Sequence, residues 1–271
     1  PQNPILAHTE KPAMPMDIDL FRRLCETPGI PGREERVRAL IAKETKGLFD
    51  STTTDAMGSL VCTRKPTRKA KGKSAGSRPT RVMLAAHMDE IGFFVRHVDE
   101  NGMIWVNPAG GFDTRNLFAS RVLVCTQHGD LKGVMNPGGK PIHISSEAER
   151  TKVPGVEEFF IDLGRDAKEV LKLVEVGDFV VLDQPFLETP NKLVSKAVDN
   201  RLACYIGIEA CRLLEVAAAG GADAAALALP VALARMATGT DRPRRVITGV
   251  ICRGDGVAVT DHLGREVCRM P

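Results

Sequence analysis

A chain of 271 residues with 43% apolar residues can bury one large core or two modest ones, which excludes a wholly disordered protein. Its 37 basic and 34 acidic residues leave a formal charge of +3, a near balance that gives no electrostatic reason to expect nucleic acid or membrane partners. Seven scattered cysteines with no C-x-x-C pair argue against a zinc ribbon or a disulfide framework and for a reducing, cytoplasmic compartment.

Residues 1–15, PQNPILAHTEKPAMP, carry prolines, no apolar run of the signal-peptide kind and no periodicity, so they read as a loose lead-in. No run of about 18 apolar residues occurs that could span a membrane. Apolar residues at helical spacing predict helices over 17–25 and 34–48, the second with Val37, Leu40, Ile41 and Leu48 on one face, and PGIPG breaks the chain between them. Residues 55–62 read as strand and turn. The run RVMLAA, 81–86, predicts a buried strand. Between these lies a loop with seven Lys or Arg and no acid, RKPTRKAKGKSAGSR, which reads as a solvated hairpin connection and not as a polyanion site. From Phe93 to about Phe186 the segments FFVRHV, MIWVNP, RVLVCT and FVVLD alternate with turn residues, which predicts an inserted β-rich unit. Ser146 and Glu149 fit a capping box. After Asn200 an Ala- and Leu-rich helix runs into the 220s.

The chemistry concentrates in two segments. In AAHMDEIGF, His87 and Asp89 follow directly on the expected strand, where a chain leaving a sheet presents side chains to a cleft. A neutral imidazole nitrogen is a good ligand for a divalent ion, and a carboxylate two residues on can orient the ring. An ordinary hydrogen-bonded His–Asp pair has the same spacing. In VSKAVDNRLA, Asp199 stands at a strand-to-helix junction, where an Asp can equally be an N-cap. The Gly-Gly pairs of PAGGFD and NPGGKP lack the setting of a phosphate loop and read as turns. His97, His128 and His143 read as structural or solvated, and Trp105 as a packing residue.

Together AAHMDEIGF, NPAGGFDTRNLFASRV, KPIHISSEAERTKVP, EEFFIDLGRDAKE and KAVDNR, with LCETPGIPGREERVRALI and TDAMGSLV before them, resemble metallopeptidase family 42, the glutamyl and deblocking aminopeptidases that build hollow tetrahedral particles. The likeness covers roughly Leu20 to Leu214. It implies an α/β fold in which a three-layer catalytic domain of the zinc-aminopeptidase kind is interrupted by a β-barrel-like insertion. The expected division is 16–92 and 191–271 for the catalytic parts and 93–190 for the insertion, which in the family mediates dimerisation and leads to dodecamers. It also implies two divalent ions, zinc or cobalt, with His87 a ligand of one and Asp199 bridging both, and a catalytic Asp89 that orients the site. A cis peptide bond between Asp199 and Asn200 is expected on the same ground. Peptides are the implied substrates, with no nucleic acid and no membrane as partners.

The resemblance fades after about residue 214. The family's Glu-Glu pair, which supplies the general base, its further Asp ligand and its C-terminal His ligand have no counterpart here, nor do its sheet-forming segments. Eleven of the twenty-one residues from Ala217 to Ala237 are alanine. Asp255, Asp261 and His262 are present in the tail in surroundings unlike the family's and read as surface residues. The composition shift and the length suggest a reading-frame change or truncation in the gene. Two further readings therefore stand beside the aminopeptidase: a non-catalytic remnant that still self-associates, and a glycoside hydrolase, a label some relatives carry. The last needs two carboxylates about 5–10 Å apart in an aromatic-rich cleft, and 4% aromatic residues with one Trp supply that poorly.

Overall fold

The computed structural model describes residues 16–65, 82–140, 142–190, 192–220, 247–253, 256–261 and 266–270. The lead-in 1–15 and most of the basic loop lie outside these residues.

Helix α1 (Ile18–Glu26) starts where Asp17 accepts a hydrogen bond from the Leu20 amide at 2.9 Å, satisfying one of the free N–H groups of the first turn. Its apolar face, Leu20, Phe21, Leu24 and Cys25, is buried against Tyr205 and Ile208 of α5 (Val198–Gly220). Helix α2 (Glu35–Glu44) stops short of the expected Leu48. Thr45 closes its last turn, and Gly47 at φ +85° turns the chain away, so Leu48 falls beyond the helix. Strands β1 (Ser51–Thr54) and β2 (Leu60–Thr63) form an antiparallel hairpin whose turn is tied by Asp55, which accepts from the amides of Met57 and Ser59.

Six strands, β3 (Gly92–Val98), β4 (Ile104–Ala109), β5 (Ser120–Thr126), β6 (Gly129–Pro137), β7 (Phe159–Asp162) and β8 (Phe179–Leu182), close into an antiparallel barrel in the order β3-β4-β7-β6-β5-β8. Alternation explains the barrel locally: Phe93 and Val95, Ile104 and Val106, and Val122 and Val124 point inward and are essentially without solvent exposure. Closure leaves no free sheet edge. The outer face at β5 and β8 is also covered, because Ile30 from the α1–α2 connection packs on Cys125, Phe179 and Val181. Arg36 of α2 adds a bond to Asp130 at 2.8 Å on β6. Ser146 caps α3 (Glu147–Thr151) in the reciprocal box expected from the sequence. Helix α4 (Ala167–Leu173), capped by Asp166, buries Val170 in the barrel core.

Outside the barrel, β9 (Leu187–Thr189) pairs with β10 (Lys192–Val194), and β11 (Ile247–Arg253), β12 (Gly256–Asp261) and β13 (Glu266–Met270) form a three-stranded antiparallel sheet. The tail thus contributes strands where none of the family's was read. The expectation of a buried strand at 81–86 fails. Residues 82–91 form no strand, and Val82, Met83 and Leu84 are 67%, 62% and 46% exposed. A strand persists only where a neighbour accepts its backbone hydrogen bonds, and none of the described strands pairs with this run.

Candidate metal centre

His87 and Asp89 lie in the segment that enters the barrel at β3, and Asp199 lies in the first turn of α5, where the helix is interrupted by non-helical geometry at Asp199 and Asn200. The bond between those two residues is cis, as expected. The three side chains predicted from sequence are brought together. The His87 ring stands between two carboxylates, with Nδ1 3.0 Å from Asp89 Oδ1 and Nε2 3.1 Å from Asp199 Oδ1. The site opens to solvent, since the His87 and Asp199 side chains are 52% and 95% exposed while that of Asp89 is 31% exposed.

Beneath this open layer is a buried ionic one that the sequence reading missed. Glu90, next to Asp89, accepts a hydrogen bond from Lys196 Nζ at 2.9 Å on Oε1, and its Oε2 lies 2.9 Å from the same ammonium in a buried ion pair. Arg201 Nη2 is 3.9 Å from Glu90, and its guanidinium donates to the carbonyls of Leu24, Thr27 and Gly29. The Gly29 carbonyl also accepts from the Glu90 amide at 2.8 Å. Burial holds the Glu90 carboxyl above the usual carboxylate range against the pull of Lys196 and Arg201, and it lowers the Arg201 guanidinium from its ordinary value against the pull of Glu90. The sequence offered only their position, inside the two motifs that carry His87 and Asp199, and gave no sign of their burial. Cys204 packs alongside, its thiol donating to the His87 carbonyl at 3.3 Å, and burial pushes that thiol up to about 11.

The donor chemistry suits one side of a divalent-ion site. Imidazole nitrogen and carboxylate oxygen converge, and a second carboxylate holds the far ring nitrogen, the arrangement that orients a metal-binding histidine. Among the described residues no group of three or more His, Cys, Asp or Glu side chains is arranged to hold an ion, these three included. Of the residues considered in the tail, Asp255 and His262 lie outside the described residues, and Asp261 ends β12. Among the described residues no helix is long and apolar enough to cross a membrane.

The family model for the M42 glutamyl aminopeptidases matches residues 68–228. A putative aminopeptidase, FrvX, from Escherichia coli is 30% identical over 198 residues, 72% of this chain and 52% of its own length. A solved aminopeptidase from the archaeon Desulfurococcus kamchatkensis superposes with a TM-score of 0.63 at 34% identity, over 72% of this chain and 51% of that one. The TET1 peptidase of Pyrococcus horikoshii, which can assemble into a tetrahedron or a large octahedral shell, superposes at 0.59 with 29% identity, over 71% of this chain and 55% of that one. This chain therefore spans about half the length of the relatives it matches. On the strength of the matched family model and of these identities, the chain belongs to the M42 glutamyl aminopeptidase family.

Proposed function

We propose that this chain is a metal-dependent aminopeptidase scaffold in which His87 and Asp199 hold one side of a divalent-ion centre, zinc or cobalt, and Asp89 orients the imidazole. The observation that carries this reading is the His87 ring held between two carboxylates contributed by segments 112 positions apart. What the ions supply when bound is Lewis-acid polarisation of a peptide carbonyl and a lowered pKa for water. The chain's own contribution is positional. Asp89 fixes which ring nitrogen faces Asp199, and the negative charge of the half-buried Asp89 and the exposed Asp199 attracts the free α-ammonium of a peptide, which favours cleavage at the N-terminal residue. Two protein ligands hold an ion weakly, so turnover depends on ligands from beyond the described residues. Without them the chain keeps the family's architecture and loses its hydrolysis.

The remaining family features belong to the same proposal: a three-layer α/β catalytic domain formed by 16–92 and 191–271, a cytoplasmic location, and self-association through the barrel of 93–190. The closed barrel with a core of its own supports the last point, since its outer face away from Ile30 is not needed to complete that core. Cobalt titration of the parent protein and of His87→Ala and Asp199→Asn, followed by hydrolysis of leucine and glutamate p-nitroanilides, tests the centre. Cobalt binding that disappears in both variants supports the reading. Binding by the parent that is unchanged in His87→Ala, or no binding at all, refutes it. Light scattering tests self-association, for which a monomer at all concentrations is the refuting result.

A further inference from the structure

Neither His87 nor Asp199 is held by packing, because their side chains are 52% and 95% exposed. Exposed side chains of this kind can change rotamer, so the separation they keep depends on how their backbones are placed relative to each other. Their backbones are joined one layer down. Lys196, three residues before Asp199, and Glu90, three residues after His87, form a bidentate ion pair with side chains 5% and 4% exposed. Arg201, two residues after Asp199, is wholly buried and ties the same region to the α1–α2 connection through the carbonyls of Thr27 and Gly29, at 3.0 and 3.2 Å. Its Nε has no hydrogen-bond partner. An arrangement optimised for stability alone would not bury three charges here, since replacing a buried ion pair with apolar side chains is often neutral or stabilising. What the charges add is direction: a bidentate pair fixes one relative placement of two strands of chain, which apolar packing does not.

We propose that the Glu90–Lys196–Arg201 triad is a positioning device that registers the His87 segment against the Asp199 segment and so sets the spacing of the two ligands. The inference rests on the metal-centre reading for its purpose and on the buried geometry for its content. Glu90→Met combined with Lys196→Met removes the bridge without changing the net buried charge, since one anion and one cation leave together. The expected result is a folded protein in which the His87 Nε2 to Asp199 Oδ1 separation, now 3.1 Å, opens past hydrogen-bonding range in a crystal structure. Where the parent binds cobalt, its affinity falls about tenfold or more, the usual effect of losing an outer-shell partner. Lys196→Arg, which can keep a bidentate bond to Glu90, retains both the spacing and the affinity. If the double variant does not fold, Lys196→Gln replaces it, because the shorter amide cannot reach Glu90 from the same backbone position. A parental His87–Asp199 separation in whichever of these variants folds overturns the inference, whether or not cobalt binds. Absence of cobalt binding in the parent, together with an opened separation in the variant, overturns the metal reading alone and leaves the positioning role standing.

Discussion

Gly92, the first residue of β3, stands where the segment bearing His87 and Asp89 enters the barrel, and its replacement by alanine tests that junction. Its φ is not in the left-handed region, so alanine meets no backbone penalty and the whole effect is spatial. A Cβ there would lie 2.4 Å from Ile30 Cγ2 and 2.5 Å from the Val180 carbonyl oxygen. Neither neighbour can retreat. Ile30 is fully buried among Cys125, Phe179 and Val181, and the Val180 carbonyl belongs to β8, paired on both sides. Overpacking of this kind costs about 1–3 kcal/mol, with the backbone contact placing Gly92→Ala toward the upper end. At about 2–4 °C per kcal/mol for a chain of this size, the melting midpoint should fall by roughly 4–12 °C. Circular dichroism and the fluorescence of Trp105, the single tryptophan, on barrel strand β4, follow the transition. Adding Ile30→Ala removes one clash and leaves the carbonyl contact, so Gly92→Ala should still destabilise in that background. Gly111→Ala, with nothing within 4 Å of the added Cβ, is the control and should melt as the parent does. A Gly92→Ala protein with the parental midpoint would refute the argument, because it would mean that β3 and β8 can part without cost.

Gly207 lies inside α5, and nothing lies within 4 Å of an added Cβ, so Gly207→Ala should stabilise by about 0.5–1 kcal/mol through helix propensity, read as a higher urea midpoint. Burial pushes the thiols of Cys25 and Cys204 up to about 11 and that of Cys125 up to about 12, so iodoacetamide at neutral pH should label them at least about a hundredfold more slowly in the native protein than in urea, as mass spectrometry would show. Cys62, partly exposed on β2, should label before these three. The Glu44 carboxyl is held below its ordinary value, first by its hydrogen bond from Arg23 at 2.7 Å and also by Arg212 at 2.8 Å. The folded state therefore binds this proton more weakly than the unfolded chain. The contribution is complete above the unfolded pKa of about 4.3 and is lost as pH falls through the lower folded value. Glu44→Gln should accordingly lower stability near neutral pH and flatten the acid limb of the stability curve. An acid limb identical to the parent's would contradict the assignment.

What was legible in the sequence was what local chemistry decides. The capping box at Ser146 and Glu149 needs only four residues in register; the barrel strands at 92–98, 104–109 and 120–126 announce themselves because interior-facing residues alternate with outward ones, and that at 179–182 because it is a short apolar run buried on both faces. Closure of the barrel was carried only by the resemblance, since it depends on which edges meet. Strand β6 was harder to see, because its inward positions Leu131, Gly133 and Met135 include a glycine and its outward ones an exposed Val134, so burial alternates along it while hydrophobicity does not. The failure at 81–86 has the same origin from the other side. An apolar run states that a segment is suited to burial, and it cannot state that a partner is there to bury it; Val82, Met83 and Leu84 remain exposed for want of one among the described residues.

The site divides along the same line. His87 and Asp89 are two positions apart and could be proposed as a pair from spacing alone, whereas the meeting of His87 with Asp199 across 112 positions was available only through the family resemblance. Glu90, Lys196 and Arg201 escaped both routes. A charged residue in a sequence suggests solvent, and only the three-dimensional fact that each side chain is 5% exposed or less reverses that reading. Their burial also explains how so open a site can have a defined shape. The ligands are free to meet solvent because the charges that fix their backbones are not, and precision in the upper layer is inherited from desolvated ion pairing in the lower one. A substitution in the lower layer should therefore disturb ligand geometry more than its distance from the open surface suggests.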